Sequence, residues 1–182
     1  FIISALMNEA SVGTYSAGYA LSEQSIGVLL IVVNLASYPL MVRAFSLDDR
    51  VVFNEKLRNN QYLIVMMGLP AVTGICILAE EISGFFFGAE FSEEASNIMP
   101  LIAISVFING LRAFHFDLSF YLSERPGCRA WILFSCALLN VAGNFLLIPM
   151  FGIAGAAYST LGAYFFALLA SIYWGRKYFL CG

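Results

Sequence analysis

Five long apolar runs, separated by short polar clusters, organise the chain. The first extends from Val12 to about Phe45, with Glu23 and Gln24 inside it and Pro39 near its far end. It is longer than a straight crossing needs, so this helix is expected to tilt or to project beyond the bilayer. A polar link from Ser46 to Asn60 follows, then a second run from about Gln61 to Ala79 with Pro70 at its middle. Proline there kinks a helix, and neighbouring helices satisfy the carbonyl it frees. The third run covers about Ser96 to Leu122, and the fourth about Ala130 to Ile148, closed by Pro149. The fifth covers about Ile153 to Trp174 and stops at Gly175-Arg176-Lys177. About 20 apolar residues carry a helix across the hydrocarbon core, so each run predicts one membrane span. A membrane β-barrel would instead show short alternating segments.

The predicted fold is therefore all-α, a polytopic transmembrane helix bundle of about five full spans over residues 1–182, plus the tail of a sixth. That tail is Phe1-Ile2-Ile3-Ser4-Ala5-Leu6-Met7, ended by the polar turn Asn8-Glu9-Ala10-Ser11. It has no initiator Met and no basic leader, so it reads as the end of a helix in a longer protein. Between the second and third runs, Glu80-Glu81 is followed by Ile82 to Phe91, with Phe85, Phe86 and Phe87 in it. This segment is expected to lie at the headgroup level. Gly84 and Gly88 have helix-pairing spacing, but they fall outside a span.

Composition strengthens this picture. The mean hydropathy is +0.83 and only 12% of residues are charged, too few to cover a water-soluble surface. The net charge of −3 comes without a basic stripe, so no nucleic-acid partner is expected. Charge placement then orients the bundle. Arg43, Arg50, Lys56, Arg58, Arg125, Arg129, Arg176 and Lys177 are eight of the nine basic residues, and alternation of the five spans puts all eight on one side. Glu9, Glu80, Glu81, Glu90, Glu93 and Glu94 occupy the other, without Lys or Arg. The basic side is the cytoplasmic one, so the C-terminal end is expected in the cytoplasm. Tyr173 and Trp174 stand where an interfacial aromatic belt belongs.

The ninth basic residue, Arg112, lies in the middle of the third run, in Asn109-Gly110-Leu111-Arg112-Ala113-Phe114-His115-Phe116-Asp117. A charge near the bilayer centre costs about 2.5–3.5 kcal/mol on insertion scales, so it must face a bundle interior or a wet cavity. Asn109, Arg112 and His115 recur at i, i+3 and i+6, which clusters them on one side of a helix. A guanidinium suits phosphate because its planar fork donates two bonds at once. The competing reading is an internal ion pair. Asp117 is five residues on, well round an α-helix, so a direct intrahelical pair is not expected. Glu23 would have to reach Arg112 from another helix. His115 reads as a satisfied hydrogen-bonder or a protonation switch. Asn140 and Asn144 share a face at i, i+4, where interhelical hydrogen bonding is the default.

No cofactor or metal is called for. Cys76, Cys128, Cys136 and Cys181 form no C-x-x-C pair and read as apolar fillers. His115 has no partner at zinc-ligand spacing. The chain lacks G-x-S-x-G, H-E-x-x-H and P-loop patterns, so the reading is a non-enzyme. Gly152-Ile153-Ala154-Gly155-Ala156-Ala157 follows a membrane span rather than a strand and lacks a third glycine. Its small residues are expected to let the fifth span approach its neighbour closely.

Several segments together resemble the polysaccharide transporter (O-antigen/exopolysaccharide flippase) family of the multidrug/oligosaccharidyl-lipid/polysaccharide exporter superfamily. They are Val12-Gly13-Thr14-Tyr15-Ser16-Ala17-Gly18-Tyr19, Tyr38-Pro39-Leu40, Leu69-Pro70-Ala71-Val72-Thr73-Gly74, Gly110-Leu111-Arg112-Ala113-Phe114, and the stretch from Leu147 to Ala157. The resemblance implies about twelve to fourteen spans in two six-helix halves around a central cavity. Residues 1–182 then form a single bundle, most of the C-terminal half, and the missing N-terminal half is a partner. It implies flipping of a lipid-linked oligosaccharide of the polyprenyl-diphosphate type across the bacterial inner membrane, for lipopolysaccharide or exopolysaccharide assembly, among membrane lipids. Arg112 would contact the diphosphate, with Asn109 and His115 on the substrate. Glu23, Asp117, Asn140 and Asn144 would line the cavity or couple to ions. The alternatives are a cation-coupled multidrug exporter of the same superfamily, whose cavity would be acidic, and a non-transporting assembly partner of a glycan-synthesis complex. A membrane glycosyltransferase would need a sizeable extramembrane loop and ranks last.

Overall fold

A computed structural model describes residues 9–87, 91–122 and 126–179. The N-terminal tail 1–7, Asn8, Gly88, Glu90, the link 123–125 with Arg125, and Cys181 lie outside the described residues. Among the described residues every regular element is helical, and five helices are long and apolar enough to cross a membrane. They are Val12–Ser46, Arg50–Ile77, Ser92–Leu122, Pro126–Phe151 and Ile153–Lys177, the first to fifth spans. The all-α polytopic bundle and its five spans are as the hydropathy pattern predicts.

The third span is the spine. It packs against the first, second and fifth spans and against a short helix, Ala79–Phe86. Its buried Ile98, Met99, Ile102 and Val106 meet Ile26, Leu30 and Val33 of the first span and Ile64 and Val72 of the second. The periphery is inverted relative to a water-soluble protein. Leu35 is 68% exposed, Met66 75% and Leu146 69%. Such side chains belong against lipid tails, where exposure of an aliphatic chain carries no hydration cost.

Element ends differ from the hydropathy reading in three places. The link from Ser46 to Asn60 is mostly helix. Only Leu47, Asp48 and Asp49 interrupt it, and the second span begins at Arg50. Asp49 caps that helix by accepting from the Val52 amide at 3.0 Å. The polar turns are the end of a helix projecting beyond the apolar slab, anchored by Phe53, which is 1% exposed. Pro149 does not close the fourth span, which continues to Phe151. The stop is Gly152, whose φ of 59° and amide bond to the Ile148 carbonyl at 2.8 Å form a left-handed helix end. The segment expected at the headgroups is the short helix Ala79–Phe86, begun earlier, with Phe85 and Phe86 exposed.

Two spans are interrupted by π turns, Glu23–Gly27 in the first and Arg112–Phe116 in the third. The second of these positions the candidate site.

Candidate functional site

A π turn closes its ring from residue i to i+5 instead of i+4. In the third span the Asp117 amide bonds the Arg112 carbonyl at 2.9 Å. An α-helix would leave positions i and i+5 about 140° apart around the axis. The wider turn brings Asp117 over Arg112, and Arg112 Nη1 donates to Asp117 Oδ2 at 2.6 Å. The intrahelical pair that α-helical spacing argued against therefore forms, because the local helix is not α. Arg112 is 4% exposed and Asp117 is fully buried.

The remaining partners complete a cluster across three spans. Arg112 Nε and Nη2 donate to Asn109 Oδ1 at 3.3 and 2.9 Å. Arg129, in the first turn of the fourth span, donates from Nε to Asp117 Oδ2 at 3.0 Å. Ser171 of the fifth span donates to Asp117 Oδ1 at 2.7 Å. One carboxylate thus neutralises one of two guanidiniums, and the cluster carries a net charge of +1. A charge group of this kind inside an apolar bundle stands only when its lone pairs and N–H groups are matched.

Asn60 of the second span supports the π turn from the side. It is fully buried, and its Nδ2 donates to the Phe114 carbonyl inside the turn at 2.9 Å. Asn60→Ala removes this bond, a loss of about 0.5–1.5 kcal/mol. Urea or thermal unfolding of the whole protein measures it, and an unchanged midpoint would show that the turn does not need Asn60.

The sequence-derived site residues divide into groups. Asn109, Arg112 and Asp117 come together. His115 sits apart from them, with its Nδ1 buried and without a partner and its ring edge-on to Phe116 at 4.7 Å. Glu23 lies in the π turn of the first span, exposed, and is in no ion pair among the described residues, so Asp117 and not Glu23 is the partner of Arg112. Asn140 and Asn144 belong to a second polar seam. Asn144 Nδ2 donates to Asn140 Oδ1 at 3.0 Å, and Asn140 Nδ2 donates to Thr160 at 3.2 Å. Tyr15 shares a 3.2 Å bond with Thr160, and Tyr19 shares one of 3.2 Å with Tyr164. This seam joins the first, fourth and fifth spans; Asn140 bonds across to the fifth span, whereas among the described residues Asn144 bonds only to Asn140 of its own span.

Arg129 and Ser171 were not singled out by the sequence. Arg129 counted only as an orienting charge at a span end. Beside it, between the first, third and fourth spans, lies a cleft of about 330 Å³. Asn34, Tyr38, Tyr121 and Arg129 give it a polar wall. Among the described residues no three His, Cys, Asp or Glu side chains converge as a metal site would require.

Residues 1–96 match the family described as polysaccharide biosynthesis protein. A probable low-salt glycan biosynthesis flippase of Haloferax volcanii is 24% identical over 159 residues, which cover 87% of this chain and 33% of that protein. The chain thus spans about a third of the length of that relative. No solved structure gives a significant match.

Proposed function

The chain belongs to the polysaccharide biosynthesis protein family, and from that premise we propose that it is part of a flippase for a lipid-linked oligosaccharide of the polyprenyl-diphosphate type. The protein works in the plasma membrane by alternating access, with the basic ends of its spans in the cytoplasm and its counterpart bundle supplied by the rest of the protein. The observation that carries the reading is the unbalanced cluster of Arg112, Asp117 and Arg129 inside the spans. Its surplus positive charge suits an anionic cargo and opposes a cationic one.

Arg112 is the phosphate ligand that becomes available when the third span rearranges and the Asp117 bond opens. Asn109 follows it, and His115 lines the sugar side. Glu23 faces the cavity from the first span; a carboxylate exposed at mid-span is costly in lipid and belongs against water or protein. Asp117, Asn140 and Asn144 set the cavity wall.

Arg112→Ala tests this without dismantling the cluster, because Asp117 keeps Arg129 and Ser171. Glycan export in cells carrying the full-length variant is expected to fall about tenfold or more at equal protein level, with Arg112→Lys recovering part of it. Export at the wild-type rate would remove Arg112 from the substrate path. Cation-driven drug efflux that requires Glu23, with glycan export untouched by either change, would favour the multidrug reading instead.

A further inference from the structure

Arg112 is enclosed in this conformation, but the second guanidinium of the cluster is not. The Arg129 side chain is 31% exposed, while Asp117 behind it is fully buried. Its Nε is tied to Asp117, and among the described residues its two Nη groups donate no hydrogen bond. Its plane lies over the Tyr121 ring, 4.9 Å from the centroid. A guanidinium held at Nε and stacked on one face has lost most of its rotational freedom, so its Nη edge is pre-set for a bidentate acceptor.

That edge belongs to the wall of the 330 Å³ cleft, with Asn34 and Tyr38 of the first span opposite and no carboxylate among its described lining residues. Asn34 offers amide donors and Tyr38 a hydroxyl. By the alternation of the spans, Tyr38 near the end of the first span and Arg129 at the start of the fourth belong to the same side of the bundle as Arg43, Arg50, Arg176 and Lys177. We infer that this cleft is a phosphate-binding site in which Arg129 is the bidentate anion ligand and Asn34, Tyr38 and Tyr121 complete the cradle. Asp117 fixes the orientation of Arg129 and leaves the surplus charge on the cleft side. Taking the phosphate to be a lipid headgroup rests on the flippase reading, in which the cleft receives the diphosphate at the cytoplasmic face before Arg112 is uncovered. A free phosphate anion would use the same donors.

The test uses the full-length protein in lipid nanodiscs, with binding of a short polyprenyl diphosphate, the matching polyprenol and inorganic pyrophosphate measured by native mass spectrometry. Wild type is expected to retain the polyprenyl diphosphate and to bind the alcohol at least about tenfold more weakly. Arg129→Gln is expected to weaken the diphosphate by about tenfold, and Arg129→Lys to restore only part of that, because the fork is lost. Asn34→Asp is the second variant. It places a negative charge in the cleft without touching the Asp117 cluster, and it is expected to weaken binding similarly. Equal diphosphate affinity in wild type, Arg129→Gln and Asn34→Asp would overturn the site while leaving the flippase reading standing. Binding of pyrophosphate alone, lost in Arg129→Gln, would keep the site and remove the lipid as its source. Binding of neither probe would overturn both.

Discussion

Asp117→Asn is expected to be the most damaging conservative change in the chain. The carboxylate accepts from Arg112, Arg129 and Ser171 at 2.6, 3.0 and 2.7 Å, and it is fully buried. An amide keeps the shape but removes the charge: its oxygen can replace Oδ2, which accepts from both guanidiniums, and its NH2 then faces the Ser171 hydroxyl, so what is lost is the negative charge. Arg112, 4% exposed, is left as an unneutralised charge that has no route to water. Breaking a buried pair this way costs about 3–5 kcal/mol. Spread over a longer protein of which these residues form a part, that corresponds to a fall in Tm of several degrees. Thermal unfolding of the whole protein in detergent reads it directly. The double change Arg112→Met with Asp117→Leu supplies the control. It removes both charges from the buried site, while Arg129 turns into its cleft, and it is expected to recover most of the lost stability. A double variant no more stable than Asp117→Asn would mean that the cluster holds the spans by its hydrogen bonds rather than through charge balance.

The membrane architecture was legible because each span announces itself in about 20 residues and the basic residues fall to one side. Arg112 was legible for the opposite reason, as a charge where none belongs. Its partner was not, because the argument against Asp117 assumed α-helical register. The π turn that overrides that register leaves no distinct mark in Arg112-Ala113-Phe114-His115-Phe116. A more physical signal was nonetheless present. A buried arginine in an apolar run needs a carboxylate, and Asp117 was the acid nearest to it in the same run. The cost of an unpaired charge exceeds that of one widened turn, so the energetics decide where the periodicity misleads. Arg129 was obscured by its position. At a span end it served the orientation count, and nothing local shows that the fourth span's first turn folds back onto Asp117. Asn60 was hidden because it stands at the end of the polar link, whereas the helix already starts ten residues before it, at Arg50. The misses of Arg129 and Asn60 share one cause: each acts through a contact between spans, which local hydropathy does not encode.

Where sequence chemistry did anticipate a tertiary contact, it did so through small residues, and Gly155→Val tests that reading at its strictest point. A side-chain carbon at Gly155 would collide with the backbone of the fourth span, at the Leu147 carbonyl and the Ile148 amide nitrogen. Backbone cannot rotate aside as a side chain can, so the fifth span must move away or the helix end at Gly152 must open. One turn further on, a carbon at Gly143 would meet Ser159, whose Oγ donates to the Asn140 carbonyl at 2.7 Å. Displacing the fifth span therefore also strains the seam through Asn140 and Thr160 that binds the first span. Overpacking of this kind costs about 3 kcal/mol or more. Gly162→Val is the matched control, because nothing stands within 4 Å of its added carbon. Gly155→Val is expected to lower the unfolding midpoint and the yield of folded protein sharply, with Gly162→Val close to wild type. Equal behaviour of the two variants would mean that the fourth and fifth spans are not locked at this approach.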